Sequence, residues 1–362
     1  MKHRLSERIK NFNITILISL FLLISCGSGQ QPQAGKDGEA ATGGSSLSAV
    51  MMHMERTAQD AFYAFMGLIA DTLGLRVTKD TTKNDVGVYF KGLAGGIEKS
   101  IGELLAVSSK TDQSVQPVKE EKESELSKAI EGAKDALTAL KGYLDSLGTI
   151  GDSNPVGWAA NNAQGTAVDE AELKKAFKAL KGIMDTAEGA GVARPEVGNI
   201  AVKVGNGTDN KDGAKILATD GAAAVGDSGK AAAILTTVSG KEILASIVNS
   251  TEGKAVKITG NVTAETTPLE FAVGGTAAHV SNSDQSKAAA VSGGIALRSL
   301  VKDGKLAANN NDDDKASQGV GVTAVNKLLG AVEDIIKKTV KNVLDKVKKE
   351  VDEVRKPKTA VQ

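Results

Sequence analysis

Apolar residues recur at steps of three and four along several stretches of the chain, which is the spacing of one face of an α-helix. The longest such stretch is Val325–Lys356, where Lys, Glu and Asp occupy the opposite face and Pro357 follows the end. A second stretch, Leu47–Leu73, ends at Gly74, a residue type that often follows a helix C-terminus. At about 1.5 Å per residue the two helices are roughly 50 and 40 Å long, and we expect them to pair with each other.

Shorter stretches between these two share the helical spacing. They are Val86–Ser108, Leu126–Leu147, Lys241–Asn249 and Gln285–Lys302. Glycines weaken the first stretch, and Gly293-Gly294 interrupts the last, because glycine is a poor helix former. The spacing as a whole predicts a mainly α fold.

The stretch Leu126–Leu147 contains a motif that is nearly repeated further along the chain. Ala139–Gly142 with Asp145 matches Ala179–Gly182 with Asp185 forty residues later. A solenoid is one interpretation, but two copies are too few to bury a continuous core. The repeat therefore favours two similar helices that pack as neighbours.

The middle of the chain differs in composition from its ends. Glu188–Gly240 is rich in Gly, Ala and Asp, which predicts short helices joined by loops. Ala255–Val273 carries β-branched residues without a helical period, which predicts either a short β-hairpin or an extended loop. Because Glu188–Val280 has few large apolar residues, we expect it to be more mobile than the terminal helices and to contribute less to the core.

The N-terminus has the pattern of a lipoprotein signal peptide. Basic residues precede an apolar run, Ile14–Ile24, whose length of about 11 residues is too short for a membrane-spanning helix. The run leads into Ser25-Cys26, and the junction resembles the lipobox of bacterial lipoproteins. We predict that residues 1–25 are removed and that Cys26 is lipidated, with an S-diacylglycerol group and an N-acyl group such as palmitate.

The remaining chain divides into three parts. Residues 26–46 contain almost no apolar side chain beyond alanine, which predicts a lipidated flexible tether. Residues 47–356 are expected to form a single, elongated, mainly helical domain, with 188–320 as its distal, loop-rich part, which the family resemblance described below implies is variable. Residues 357–362 form a C-terminal tail.

Composition excludes several classes of function. The 362 residues include 44 Lys and Arg and 44 Asp and Glu, so the chain lacks the basic excess of a nucleic-acid-binding protein. Aromatic residues are 3% of the chain, which disfavours base stacking and aromatic-lined pockets. A single cysteine allows neither an internal disulfide nor a cysteine-based metal site.

Short motifs with possible chemistry stand without the partners they need. Gly226–Gly229 has the sequence GDSG found around serine-protease nucleophiles, but a Gly-rich turn is the simpler interpretation. His53, His279 and Asp312–Asp314 lack the ligand spacing of metal sites. Trp158, the only tryptophan, is expected to cap an edge of the core. We therefore predict no catalytic, cofactor-binding or metal-binding residues and no enzymatic activity.

Four segments resemble one protein family over the full length of the chain. The resemblance is to the variable large proteins of relapsing-fever Borrelia, and one segment is also similar to an invariable block of the surface lipoprotein VlsE. The segments are the signal and lipobox of residues 1–26, the tether GSGQQPQAGKDGEAATGG, the helix DAFYAFMGLIADTLG, and the tail VNKLLGAVEDIIKKTVKNVLDKVKKEVDEVRK; the VlsE-like block is QSKAAAVSGGIALRSLVKDGKLA.

The resemblance implies an α-helical fold with membrane-proximal terminal helices and a diversified distal surface. It also implies a plasmid-encoded antigen that is lipid-anchored in the outer membrane and meets host antibodies. Such an antigen evades immunity by antigenic variation, with one variant expressed at a time. The alternative is an adhesin for host-cell glycans or proteins, which favours a basic patch. The basic run at Lys337–Lys349 is interleaved with acids and spreads over a helix face.

Overall fold

The computed structural model describes residues 74–111, 120–204, 208–309 and 313–355. The chain divides into two units, residues 1–44 and 45–362, and the second unit contains every described residue. The predicted helix Leu47–Leu73, its pairing with the C-terminal helix, the signal peptide and the tether lie outside the described residues.

The described part of the chain is mainly α-helical, as predicted, with four strands of two or three residues. The helices are α1 (Lys83–Thr111), α2 (Glu120–Leu147), α3 (Glu170–Gly189), α4 (Asp227–Thr236), α5 (Gly240–Val248), α6 (Pro268–Val273), α7 (Ala277–Val280), α8 (Ala288–Leu300) and α9 (Asp313–Arg355), with 3₁₀ turns at Lys211–Leu217 and Glu252–Lys254. The strands are β1 (Lys203–Val204), β2 (Thr208–Asp209), β3 (Ala218–Asp220) and β4 (Gly275–Thr276), paired β1–β2 antiparallel and β3–β4 parallel.

The C-terminal helix α9 is the element around which the others pack. It contacts α2, α3, α4, α5 and α8. Its apolar stripe is buried along the described length, at Val325, Leu328, Leu329, Val332, Ile335, Ile336, Val340, Val343, Leu344, Val347 and Val351. The helix begins at Asp313, 12 residues before the predicted start at Val325. Gly321 lies in this first part, where a Cβ would approach the Cα of Gly157 to 2.6 Å.

The near-repeat forms two neighbouring helices, which confirms that interpretation over a solenoid. Helix α2 packs against both α1 and α3. The repeat-related glycines are not equivalent, since Gly142 faces open space whereas a Cβ at Gly182 would penetrate the ring of Tyr143. Close packing of α2 on α3 therefore depends on the missing side chain at Gly182.

The expected hairpin or extended loop over Ala255–Val273 is wrong in its second half. The segment ends in α6, whose N-terminus is a capping box: Thr267 and Glu270 exchange side-chain and backbone hydrogen bonds, and Pro268 occupies the first turn. The first half has a parallel bridge from Ile258 to Gly275, not a hairpin. The described antiparallel pair is β1–β2, which lies earlier in the chain.

The segment Glu188–Val280 contributes to the core through its few large apolar residues, most of which face inward. Those exposed by 2% or less are Val202, Ile216, Leu217, Ile234, Leu235, Val238, Ile243, Leu244, Ile247, Val262, Leu269, Phe271 and Val280. Its smaller share relative to the terminal helices stays a prediction, because Leu47–Leu73 lies outside the described residues.

Gly293 and Gly294 do not interrupt α8, which runs unbroken through them. All thirteen residues of this helix are buried. A Cβ on Gly293 would lie 3.0 Å from the Pro268 side chain, and one on Gly294 would overlap Phe271. The two glycines lower helix propensity but allow α6 to pack directly on the backbone of α8, which is the larger effect in this context.

Replacing the two repeat-related glycines with alanine should have opposite effects. Gly182→Ala should lower the free energy of unfolding by about 1–3 kcal/mol, because the new methyl group overlaps the Tyr143 ring. Gly142→Ala should raise it by about 0.5–1 kcal/mol through helix propensity alone. Urea denaturation of both variants measures the difference, and equal effects would contradict the described α2–α3 packing.

Candidate functional site

The GDSG motif forms the start of a helix. Gly226 has a φ of 86° and directly precedes α4, and the Asp227 carboxylate accepts a hydrogen bond from the Ala224 N–H at 2.7 Å. The Ser228 hydroxyl is buried and lies 2.8 Å from the Ser317 hydroxyl on α9. Because its hydroxyl contacts the Ser317 hydroxyl, Ser228 anchors α4 to α9, and the motif is a Gly-rich turn at the start of α4.

The other candidate residues within the described part of the chain are separate from one another. The His279 N–H donates to the Thr276 hydroxyl at 3.2 Å, and its Nδ1 atom is buried without a hydrogen-bond partner. Trp158 is half-buried, with the Lys305 ammonium 5.5 Å from its ring centroid. The carboxylate of Asp313, the first residue of α9, accepts a hydrogen bond from the Asn309 N–H at 2.9 Å. Cys26, His53 and Asp312 lie outside the described residues.

Neither a metal site nor a membrane span emerges from the described residues. Within them, no group of three or more His, Cys, Asp or Glu side chains is arranged to hold a metal ion. No single described helix is long and apolar enough to cross a membrane; α4 and α5 meet that test only as a pair bent by 94°.

The most unusual polar group is Arg298, a fully buried arginine on α8. Its guanidinium donates to four backbone carbonyls. They are those of Phe271 at 3.2 Å, Ala272, Leu217 at 3.3 Å and Lys305 at 3.3 Å. Two of these carbonyls belong to the last turn of α6 and one ends the 3₁₀ turn before β3, so Arg298 satisfies acceptors that the helix ends leave unpaired.

The charge of Arg298 is stabilised by carbonyl dipoles. Burial lowers the pKa of Arg298 from its ordinary value to about 9, so the guanidinium remains charged at neutral pH. No carboxylate forms an ion pair with it among the residues that the structure describes. The negative ends of the helix dipoles of α6 and the 3₁₀ turn therefore supply the opposing field.

The chain leaves room for this guanidinium at Gly274. The φ of Gly274 is +78°, a conformation that favours glycine. A Cβ at this position would overlap both the Leu217 carbonyl and Nη2 of Arg298. Gly274 thus meets a steric and a conformational requirement together.

A second buried cation, Lys83 at the start of α1, caps the end of α8. Its Nζ donates to the carbonyls of Val301 and Gly304, each at 2.8 Å, and lies 3.6 Å from Asp152. Burial lowers the pKa of Lys83 from 10.5 to about 8, although the negative charge of Asp152 acts in the opposite direction. Lys83 therefore joins the first described helix to a segment more than 200 residues away.

Asp152 orders the turn that Lys83 binds. Its carboxylate accepts the N–H of Asn154 and the N–H of Asp303, both at 2.8 Å. Burial opposes ionisation of Asp152, but these backbone donors and Lys83 outweigh it and lower the pKa of the carboxyl. The hydrogen bond from the Asp303 N–H to Asp152 helps to hold Asp303 at its φ of 65°, which is a strained conformation for a residue other than glycine.

We refer to Arg298, Lys83, Asp152 and the segment 301–308 as the buried cation centre. Isolated β-bridges pair this segment with the connection between α2 and α3, at Leu306 with Ala159, Ala308 with Ala163, and Lys305 with Thr166. Because both cations are buried and donate to backbone carbonyls of several segments, the centre holds these segments together.

Side chains of α9 cap two further helix ends. The Lys327 ammonium donates to the carbonyl of Leu235 at 2.8 Å, in the last turn of α4, and to that of Val238 at 2.6 Å, just beyond the end of α4. The Asn342 amide donates to the Ala190 carbonyl at 3.2 Å, directly after α3. Side-chain donors from distant elements therefore secure α3, α4, α6 and α8.

Sequence reasoning missed the buried cation centre. One signal was present, since Arg298 is the only charged residue in the otherwise apolar or small-residue helix Ala288–Leu300. A charged residue in a helix that is apolar on all sides must find buried partners. Lys83 gave no comparable signal, because Lys79, Asp80 and Asn84 make its surroundings look like an exposed turn.

The fold matches that of a solved variable surface antigen. The crystal structure of the Lyme disease variable surface antigen VlsE of Borrelia burgdorferi superposes with a TM-score of 0.64 at 25% sequence identity, covering 84% of this chain and 98% of that one. The class defined by the fold is therefore the helical variable surface antigens.

The chain belongs to the Borrelia lipoprotein family, whose model matches residues 58–351. It is 67% identical to variable large protein 21 of Borrelia hermsii and 55% identical to variable large protein 25 of the same organism, in both cases over 100% of each chain. Identity with variable large protein 12 is 26% over 82% of this chain and 80% of that one.

Removing the Arg298 guanidinium should be strongly destabilising. Arg298→Met keeps an unbranched stem but leaves the buried carbonyls of Phe271, Ala272 and Leu217 without this donor, so we expect a loss of about 3 kcal/mol or more. Urea denaturation followed by Trp158 fluorescence provides the measurement. Arg194→Met, which removes an arginine paired at the surface with Glu188, is the control and should cost less than about 1 kcal/mol.

Stability should rise with pH through the titration of Lys83. Its folded-state pKa is about 8 against 10.5 for the ordinary side chain, so the unfolded state binds more protons between these values. Relative to Lys83→Met, the wild-type free energy of unfolding should therefore gain about 3 kcal/mol from pH 7 to pH 10.5. The neutral amine still donates to both carbonyls; a flat difference across this range would contradict the depressed pKa.

Proposed function

We propose that this protein is an outer-surface lipoprotein antigen that evades host antibodies by antigenic variation, with one variant displayed at a time. The observation that carries the proposal is the 67% identity to variable large protein 21 over the complete length of both chains. The match to VlsE at 25% identity supports it, because one fold accommodates widely different sequences.

The distribution of charge fits a protein whose surface changes while its fold persists. Exposed helix faces carry ion pairs such as Lys181–Asp185 and Lys341–Asp345, and exposed pairs contribute little to stability. The buried cation centre satisfies its polar groups internally, at Arg298 and Lys83. Surface residues can therefore be exchanged at small cost, whereas these two positions cannot.

Anchoring is proposed to depend on Cys26. The cysteine stands at the end of the apolar run of the signal sequence, and family membership as a Borrelia lipoprotein supports lipidation. Two or more acyl chains hold a protein stably on a membrane, which agrees with a protein that must remain displayed.

Substitution of the cysteine tests the anchor. In cells that express Cys26→Ala, the protein should leave the outer-membrane fraction or remain unprocessed, whereas Ser28→Ala in the tether should behave as wild type. Mass spectrometry of the wild-type N-terminal peptide should show acyl groups on Cys26. An unmodified N-terminal peptide, or unchanged membrane retention of Cys26→Ala, contradicts the proposal.

Antigenic variation is tested by following an infection that begins with cells displaying this chain. After antibody against it appears, surviving cells should express a different variant, and the original should persist in hosts without antibody. Continued display of this chain on cells that survive a specific antibody response contradicts the proposed function.

An adhesin for host glycans is the weaker candidate. The basic run near the C-terminus is partly neutralised, because Lys338 pairs with Asp334 at 3.0 Å and Lys341 pairs with Asp345. Asp334 also pairs with Lys241 at 3.2 Å. Interleaved charges of this kind do not form the positive patch that sulfated glycans require.

A further inference from the structure

We draw no further inference here: the strongest candidate, the open groove between α2, the end of α3 and the C-terminal half of α9, which is lined by small residues such as Ala129, Gly132 and Ala136, carries none, because nothing in the described part of the chain shows what covers it.

Discussion

Helices that end inside a protein leave carbonyl oxygens without partners, and the fold of this domain depends on how those oxygens are satisfied. The Arg298 guanidinium donates to carbonyls at the end of α6 and at the end of the 3₁₀ turn Lys211–Leu217. The Lys83 ammonium donates to carbonyls that follow the end of α8. Lys327 serves the end of α4 in the same way. Each donor comes from a distant element, so each contact is at once a helix cap and a tertiary link. Burial disfavours the charged form of both side chains, which is why the pKa values of Lys83 and Arg298 are lowered. Hydrogen bonds from both cations to backbone carbonyls offset this desolvation free energy.

This arrangement separates the residues that maintain the fold from those that a partner meets. The capping cations Arg298 and Lys83 are buried. Exposed ion pairs, for example Lys181–Asp185, contribute little to stability. A displayed antigen requires that separation, because its outer face must change while its core stays intact. The loop between β3 and α4 shows this separation locally, because the buried Asp227 carboxylate holds the Ala224 N–H while the side chains of Ala224 and Val225 are exposed.

Periodicity predicted the elements that carry a continuous apolar stripe, such as α9 and the α2–α3 pair. It failed where a long-range contact decides the outcome. Gly293 and Gly294 were predicted to interrupt the helix, because the sequence does not show that they pack against α6. The capping box of Thr267 and Glu270 was present in the sequence but overlooked beside the β-branched residues before it. Arg298 carried a local signal in its apolar helix, whereas Lys83 carried none, since its carbonyl partners lie more than 200 residues away. The Gly-rich turn predicted at Gly226–Gly229 is confirmed, since Gly226 has a positive φ and directly precedes α4.

Native-state hydrogen exchange tests most directly whether the buried cations hold the domain together. The informative amides are those of Lys302, Leu306 and Ala307, which donate across the centre to Ile150, Trp158 and Ile216. If the caps secure this segment, these amides exchange only through global unfolding, with the same free energy as the Leu328 amide in the middle of α9. Exchange of the three amides at a free energy several kcal/mol below that of Leu328 would mean that segment 301–308 opens by itself, and the account would be contradicted.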